Sequence, residues 1–160
     1  IERLVAAGHG SKIYPLTALW LVAMLYVAYR QVAVWQNSYT LWTHEMKSYK
    51  GPKQYRSRAN YLFEKRQYKL AFADINRAIQ YKSDDLNLYA KRAAIYDLYK
   101  KPEAAYRDMA FVVKRMPNNA PALVKMVEYG VKANVLSDSA ALAYLNRAIL
   151  LQPRLPSAYR

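Results

Sequence analysis

The chain contains no cysteine, which removes disulfides, thiolate metal sites and a cysteine nucleophile together and leaves the redox compartment unread. Glycine is scarce too, at four in 160 residues, so the tight turns of a many-stranded sheet protein have little to draw on. Abundant Lys, Arg, Ala, Leu and Tyr instead favour long helices, and almost no strand is expected. Acidic side chains are few, 11 against 25 Lys and Arg, for a net charge of +14. The 54% apolar content argues against disorder.

The positive charge is spread along the chain: +3 over residues 1–51, +8 over 52–119 and +3 over 120–160. A field of this sign attracts acidic peptides or anionic lipid headgroups. The basic residues alternate with tyrosine and alanine at helical spacing and carry no nucleic-acid motif, so no nucleic-acid partner is expected.

Residues 13–29, IYPLTALWLVAMLYVAY, hold no charge. At about 1.5 Å per residue this stretch and its flank reach roughly 26 to 35 Å as a helix, enough to cross a bilayer core. Pro15 falls in the first turn, where its missing N–H costs little. Lys12 and Tyr14 at one end, and Tyr29, Arg30 and Trp35 at the other, are of the types that settle at headgroup depth, as is Trp42 further on. A buried helix of a water-soluble core is the plainer reading, and a cleaved signal peptide lacks its small-residue cleavage site. The expectation is a membrane span within residues 1–30, with lipid as one partner. Residues 31–51 then place Trp35, Tyr39, Trp42, Met46 and Tyr49 at intervals of three and four, an amphipathic helix that lies on a membrane or caps the first repeat of the next segment. Gly51-Pro52 ends it.

From residue 52 an alanine-rich pattern recurs. The tetrapeptide NRAI stands at 76–79 and again at 146–149, 70 residues apart. Between them Tyr55, Ala59, Leu62, Ala71, Ile75 and Ala78 return 34 positions later as Tyr89, Ala93, Tyr96, Ala105, Met109 and Val112. A third set, Leu123, Val127, Gly130, Ala141, Leu145 and Ala148, comes next, with two extra residues near Asn134 to Asp138. Pro117 and Pro153 close units two and three, and Ser83 holds that place in unit one. Alanine at the contacts lets paired helices approach closely, and larger side chains fill the gap to the next pair. No pair buries its apolar face alone, so the units stack into a superhelix. PSAYR at 156–160 begins a fourth unit, and the sequence reads as part of a longer array.

This pattern resembles the tetratricopeptide repeat (TPR), over units 52–85, 86–119 and 120–155. The resemblance implies an all-α solenoid that binds proteins or peptides on the concave face built by the first helix of each pair. Arg58 and Arg92 depart from it, standing where leucine is usual. On that face lie Lys53, Arg56, Asn60 and Phe63 in unit one, Asn87, Lys91 and Asp97 in unit two, and Lys125 in unit three. Arg56 and Asn60 resemble the residues with which the carboxylate-clamp subgroup holds a peptide terminus by charge-assisted hydrogen bonds. Pro121 stands where that subgroup has lysine. A solvated basic face accounts for the same residues without a ligand; the sharper expectation is an acidic or carboxylate-terminated partner.

The junction YRQVAVWQNSYTLWTHEMKSYKGP resembles the segment between the last transmembrane helix and the repeats of membrane O-mannosyltransferase-like proteins of the GT-C class. Arg30, Trp35, Asn37, Leu41 and Trp42 carry that likeness. It implies a polyprenyl-phosphate-sugar-dependent glycosyltransferase whose repeats recognise acceptor proteins outside the cytoplasm. Charge bias around the apolar segment points to the cytoplasm instead. The catalytic acids of that family lie in early loops that this sequence does not contain, so no catalytic residue is assigned. The rival reading is a non-enzymatic, membrane-anchored adaptor or scaffold.

No cofactor and no metal are expected. His9 and His44 lie 35 residues apart without a carboxylate ladder, and AAGHGSK at 6–12 lacks the spacing of a phosphate loop. Asp84 and Asp85 read as a helix cap and first turn.

Overall fold

The structure, a computed structural model, describes residues 10–81 and 84–154. Among them are eight helices and no strand. The expected fourth unit at 156–160 and His9 lie outside the described residues, as do Ser83 and the side chain of Lys12. The chain divides into two compact units, one ending at Tyr49 and one beginning at Lys50.

The first unit holds α1 (Gly10–Val34) and α2 (Ser38–Ser48). The apolar run extends α1 further than expected, through Arg30 and Gln31, with Pro15 near its start. The expected membrane span is not found: among the described residues no helix is long and apolar enough to cross a membrane. Tyr14, Thr17, Trp20, Tyr26, Tyr29 and Arg30 place polar atoms along the helix. Asn37 ends the link to α2 as a capping box, its side chain accepting from the Thr40 amide at 3.0 Å while Thr40 Oγ1 accepts from the Asn37 amide at 3.3 Å.

The second unit holds α3 (Pro52–Glu64), α4 (Tyr68–Gln80), α5 (Leu86–Leu98), α6 (Pro102–Arg115), α7 (Ala120–Lys132) and α8 (Asp138–Leu151). Its local signals fall at the helix ends. Pro52 comes directly after the N-cap Gly51, Pro102 opens α6, and Asp85, Asn119 and Ser137 cap α5, α7 and α8 through their side chains.

The helices pack in succession, with α3 on α4, α5 on α6, α6 on α7 and α7 on α8. The alanines expected at the contacts are there: Ala59, Ala71, Ala78, Ala93 and Ala105 have no exposed surface. Ile75 and Leu62 fill the first pair, Met109 and Val112 the second, and Leu123 with Ala148 the third.

The turn inside each pair repeats bond for bond. Gln67 donates to Leu62 O at 2.9 Å, Lys101 to Tyr96 O at 2.9 Å and Val135 to Gly130 O at 3.0 Å. Before each donor sits a residue with positive φ, Arg66 at 58°, Lys100 at 55° and Asn134 at 53°. These are left-handed helix stops built without glycine. Because this turn keeps the 34-residue spacing as far as Val135, the two extra residues of unit three fall after it, where Ser137 caps α8.

Arg58 and Arg92 are absorbed by a second repeated device. Arg58 donates from Nε and Nη2 to the Asp74 carboxylate at 2.7 and 2.8 Å, and Arg92 does the same to Asp108 at 2.7 and 2.8 Å. Each two-pronged pair joins the two helices of one unit across 16 residues. Arg92 Nη1 also donates to Asn76 Oδ1 at 2.9 Å, tying unit two to unit one. Unit three replaces the pair with Met126 and Tyr144, which pack in the core.

Candidate functional site

In a stack of paired helices the first helices line the concave side, here α3, α5 and α7. The 13-residue α3 and α5 carry Asn60, Phe63 and Lys91 to one point. Lys91 Nζ donates to Asn60 Oδ1 at 2.7 Å and lies 5.3 Å from the centre of the Phe63 ring. The ammonium is thereby held by a neutral amide and an aromatic face, neither of which cancels its charge. Asn60 keeps two amide protons to donate. A carboxylate placed here meets one full positive charge and a neighbouring donor.

The other expected groove residues are placed differently. Arg56 Nη1 lies 3.7 Å from Asp85 Oδ2, so its charge is partly met by the residue that caps α5. Lys53 is exposed near the start of α3. Lys125 donates to Glu128 at 2.7 Å, and Lys132 bridges Glu128 and Asp97 at 3.0 Å each. The expected stripe of free positive charge thus contracts to the neighbourhood of Lys91, and unit three presents a neutralised network.

That network was not legible in the single residues, because its members come from α5 and α7. Burial pushes the Glu128 carboxyl up, but its hydrogen bonds from Lys125 and Lys132 outweigh this and hold it below the usual carboxylate range. The Glu128 and Asp97 carboxylates raise Lys132. Tyr129, 4% exposed beneath them, is pushed up to about 12 by burial and then by the charges of Asp97 and Glu128.

Beside Lys125 a cavity of about 430 Å³ opens between α5 and α7 over α6. Ala90, Ala94 and Ala122 leave the space, Met109 and Val112 form an apolar floor, and Asn87 sits at the rim. Small residues on both first helices were the one sequence signal for it. Asn87 and Lys125 are therefore brought together, as Asn60, Phe63 and Lys91 are, in a second place.

In the first unit Tyr14, Tyr29 and Trp35 are 66%, 73% and 65% exposed, Trp42 is half-buried, and Arg30 donates to the Tyr26 hydroxyl at 3.2 Å. The span these five were expected to flank is the one not found among the described residues.

The chain matches no family model and no curated protein. Solved structures do match. The second TPR domain of human RPAP3, solved with an HSP70 peptide SGPTIEEVD, aligns at TM-score 0.58 and 22% identity over 68% of this chain and 92% of that one. The first TPR of Spaghetti (RPAP3) bound to the HSP90 peptide SRMEEVD aligns at 0.58 and 18% over 68% of this chain and 84% of that one. MamA aligns at 0.54 and 15% over 65% of this chain, which spans 56% of the MamA chain. With the repeated pairs and turns, these likenesses show the fold: the second unit is a TPR array. They do not support the likeness of the junction to GT-C transferases.

Proposed function

We propose that the repeat region docks a peptide or protein segment bearing a carboxylate. The observation that carries this reading is Lys91, whose ammonium is positioned at 2.7 Å by the neutral Asn60 rather than by an acid. The adjoining cavity beside Asn87 and Lys125 takes an apolar side chain of the same ligand. The acidic peptides held by the two matched TPR domains, SGPTIEEVD and SRMEEVD, support this chemistry.

Fluorescence anisotropy with SRMEEVD as the probe tests it. Removal of both Arg56 and Lys91 as alanines is expected to weaken binding about tenfold or more and to flatten its salt dependence. Unchanged affinity and an unchanged salt slope in the double variant would rule the docking site out.

A finer reading makes this array the acceptor-recognition part of a GT-C glycosyltransferase, with the repeats outside the cytoplasm. Its support is the junction likeness at Arg30, Trp35, Asn37, Leu41 and Trp42, and the full-length gene decides it. Many further apolar spans with an early acidic loop favour the transferase, whereas a short amino-terminal extension favours the adaptor. Accessibility of a tag at residue 160 from each side of the membrane tests the location.

A further inference from the structure

The first unit holds a groove of about 670 Å³ between α1 and α2 that the docking reading does not use. Three side chains of basic type reach it, Arg30 from α1 and His44 and Lys47 from α2, beside the neutral amide of Gln31. His44 and Lys47 are three residues apart and so share one face of α2. No carboxylate of the described residues lines the groove; Glu45, beside His44 in sequence, is not among its walls. None of the three is in an ion pair with a described residue.

The groove is built rather than accidental. Arg30 Nη1 donates to the Tyr26 hydroxyl at 3.2 Å, and the guanidinium carbon lies 6.0 Å from the Tyr26 ring centre, which restrains the fork. Thr40 Oγ1 donates to Val34 O at 2.9 Å, and the Asn37 capping box sets the corner through which α2 leaves α1. Hydroxyls of Tyr39 and Thr43 complete the polar wall.

We propose that this groove binds a phosphate group. Like charges gathered without a counter-charge repel, and an anion relieves that cost. Arginine offers a planar fork, lysine a point charge and histidine a ring donor, a set that suits a multiply charged tetrahedral oxyanion better than a single carboxylate. The phosphate belongs to a lipid headgroup or to a water-soluble ester. The exposed apolar side chains of α1 leading to Arg30, Val22, Leu25 and Tyr26 among them, would lie along the chains of the former.

The proposal is independent of the docking face, which lies in the other unit. Its test uses the whole chain with phosphatidylcholine vesicles carrying or lacking phosphatidic acid, and separately inorganic phosphate followed by the His44 ring resonances. The Arg30→Gln, Lys47→Gln double variant is compared with Lys100→Gln, Lys101→Gln, which removes the same charge from the repeat region. The expected result is about a tenfold loss in the first pair and little change in the second. Loss confined to vesicle binding identifies a lipid headgroup, and loss in the phosphate titration identifies a soluble ester. Equal loss in both variant pairs, no loss in the first pair, or no binding of either probe overturns the proposal. Unchanged circular dichroism of the variants separates lost binding from lost fold.

Discussion

Arg92 and Asp108 face each other with two parallel hydrogen bonds of 2.7 and 2.8 Å, and the same pair recurs 34 residues earlier as Arg58 and Asp74. Asp108 is 7% exposed, so the arginine stands where water would otherwise solvate the carboxylate. The bond to Asp108 raises the Arg92 pKa, which keeps the guanidinium charged at any working pH.

Breaking one side of this pair is therefore costly, and replacing both is not. Arg92→Leu is expected to destabilise the array by about 3 kcal/mol, since Asp108 and Asn76 both lose their donor. The double change Arg92→Met, Asp108→Tyr copies the third unit, where Met126 and Tyr144 stand at these places, and is expected to fall within about 1.5 kcal/mol of the parent. Urea unfolding of the three proteins checks this. A double variant as unstable as the single one would contradict the equivalence of the two solutions.

The left-handed stops carry strain that glycine relieves. Lys100 has φ of 55°, a conformation that costs an L-residue roughly 1–2 kcal/mol. Lys100→Gly is expected to raise stability by about 0.5 to 1 kcal/mol despite the greater freedom of glycine in the unfolded chain. The thermal midpoint reads the change directly, and a fall would show that the Lys100 side chain makes contacts outweighing the strain.

Gly130 tests the packing in the opposite direction. It stands where units one and two carry Leu62 and Tyr96, and a Cβ there would lie 3.0 Å from the Tyr106 ring and from Leu136 Cβ. Gly130→Leu restores the residue of unit one but meets occupied space, with an expected loss of about 1 to 3 kcal/mol. An unchanged midpoint would mean that Tyr106 and Leu136 move aside freely.

Tyr129 predicts an alkaline limit. Its folded pKa of about 12 lies above the ordinary 10.0, so the folded chain holds a proton that the unfolded chain releases. Stability from this group is full below pH 10 and is lost as pH rises towards 12. Tyr129→Phe is expected to remove that part of the decline while leaving the neutral-pH fold intact. Glu128 acts at the other end: its lowered pKa stabilises above the ordinary carboxylate range and ceases to do so as pH falls through its folded value. Denaturation midpoints across both ranges measure the two effects.

The repeat was legible because burial imposes a period: Ala59, Ala71 and Ala93 are small where helices touch, and that constraint is written one residue at a time. The arginine pairs were visible only as departures, since nothing in the sequence of α3 alone shows that Asp74 waits 16 residues on. The groove was half legible. Asn60, Phe63 and Lys91 do meet, but Lys125 is neutralised by Glu128, three residues away, which pairs with Lys132 as well, an arrangement that depends on side-chain geometry. The apolar run of α1 gave the helix and not the span: a charge-free stretch fixes helical periodicity, while among the described residues no helix is long and apolar enough to cross a membrane.

Whether the repeats dock a carboxylate at Lys91 is decided by mapping the amide chemical shifts that an acidic peptide induces. With SRMEEVD the largest shifts are expected at Asn60, Phe63 and Lys91, with a second group around Asn87 and Ala122, and small ones at the exposed cations Lys65 and Lys101. Shifts concentrated at Lys65 and Lys101, or spread evenly over the basic surface, would contradict docking at that site.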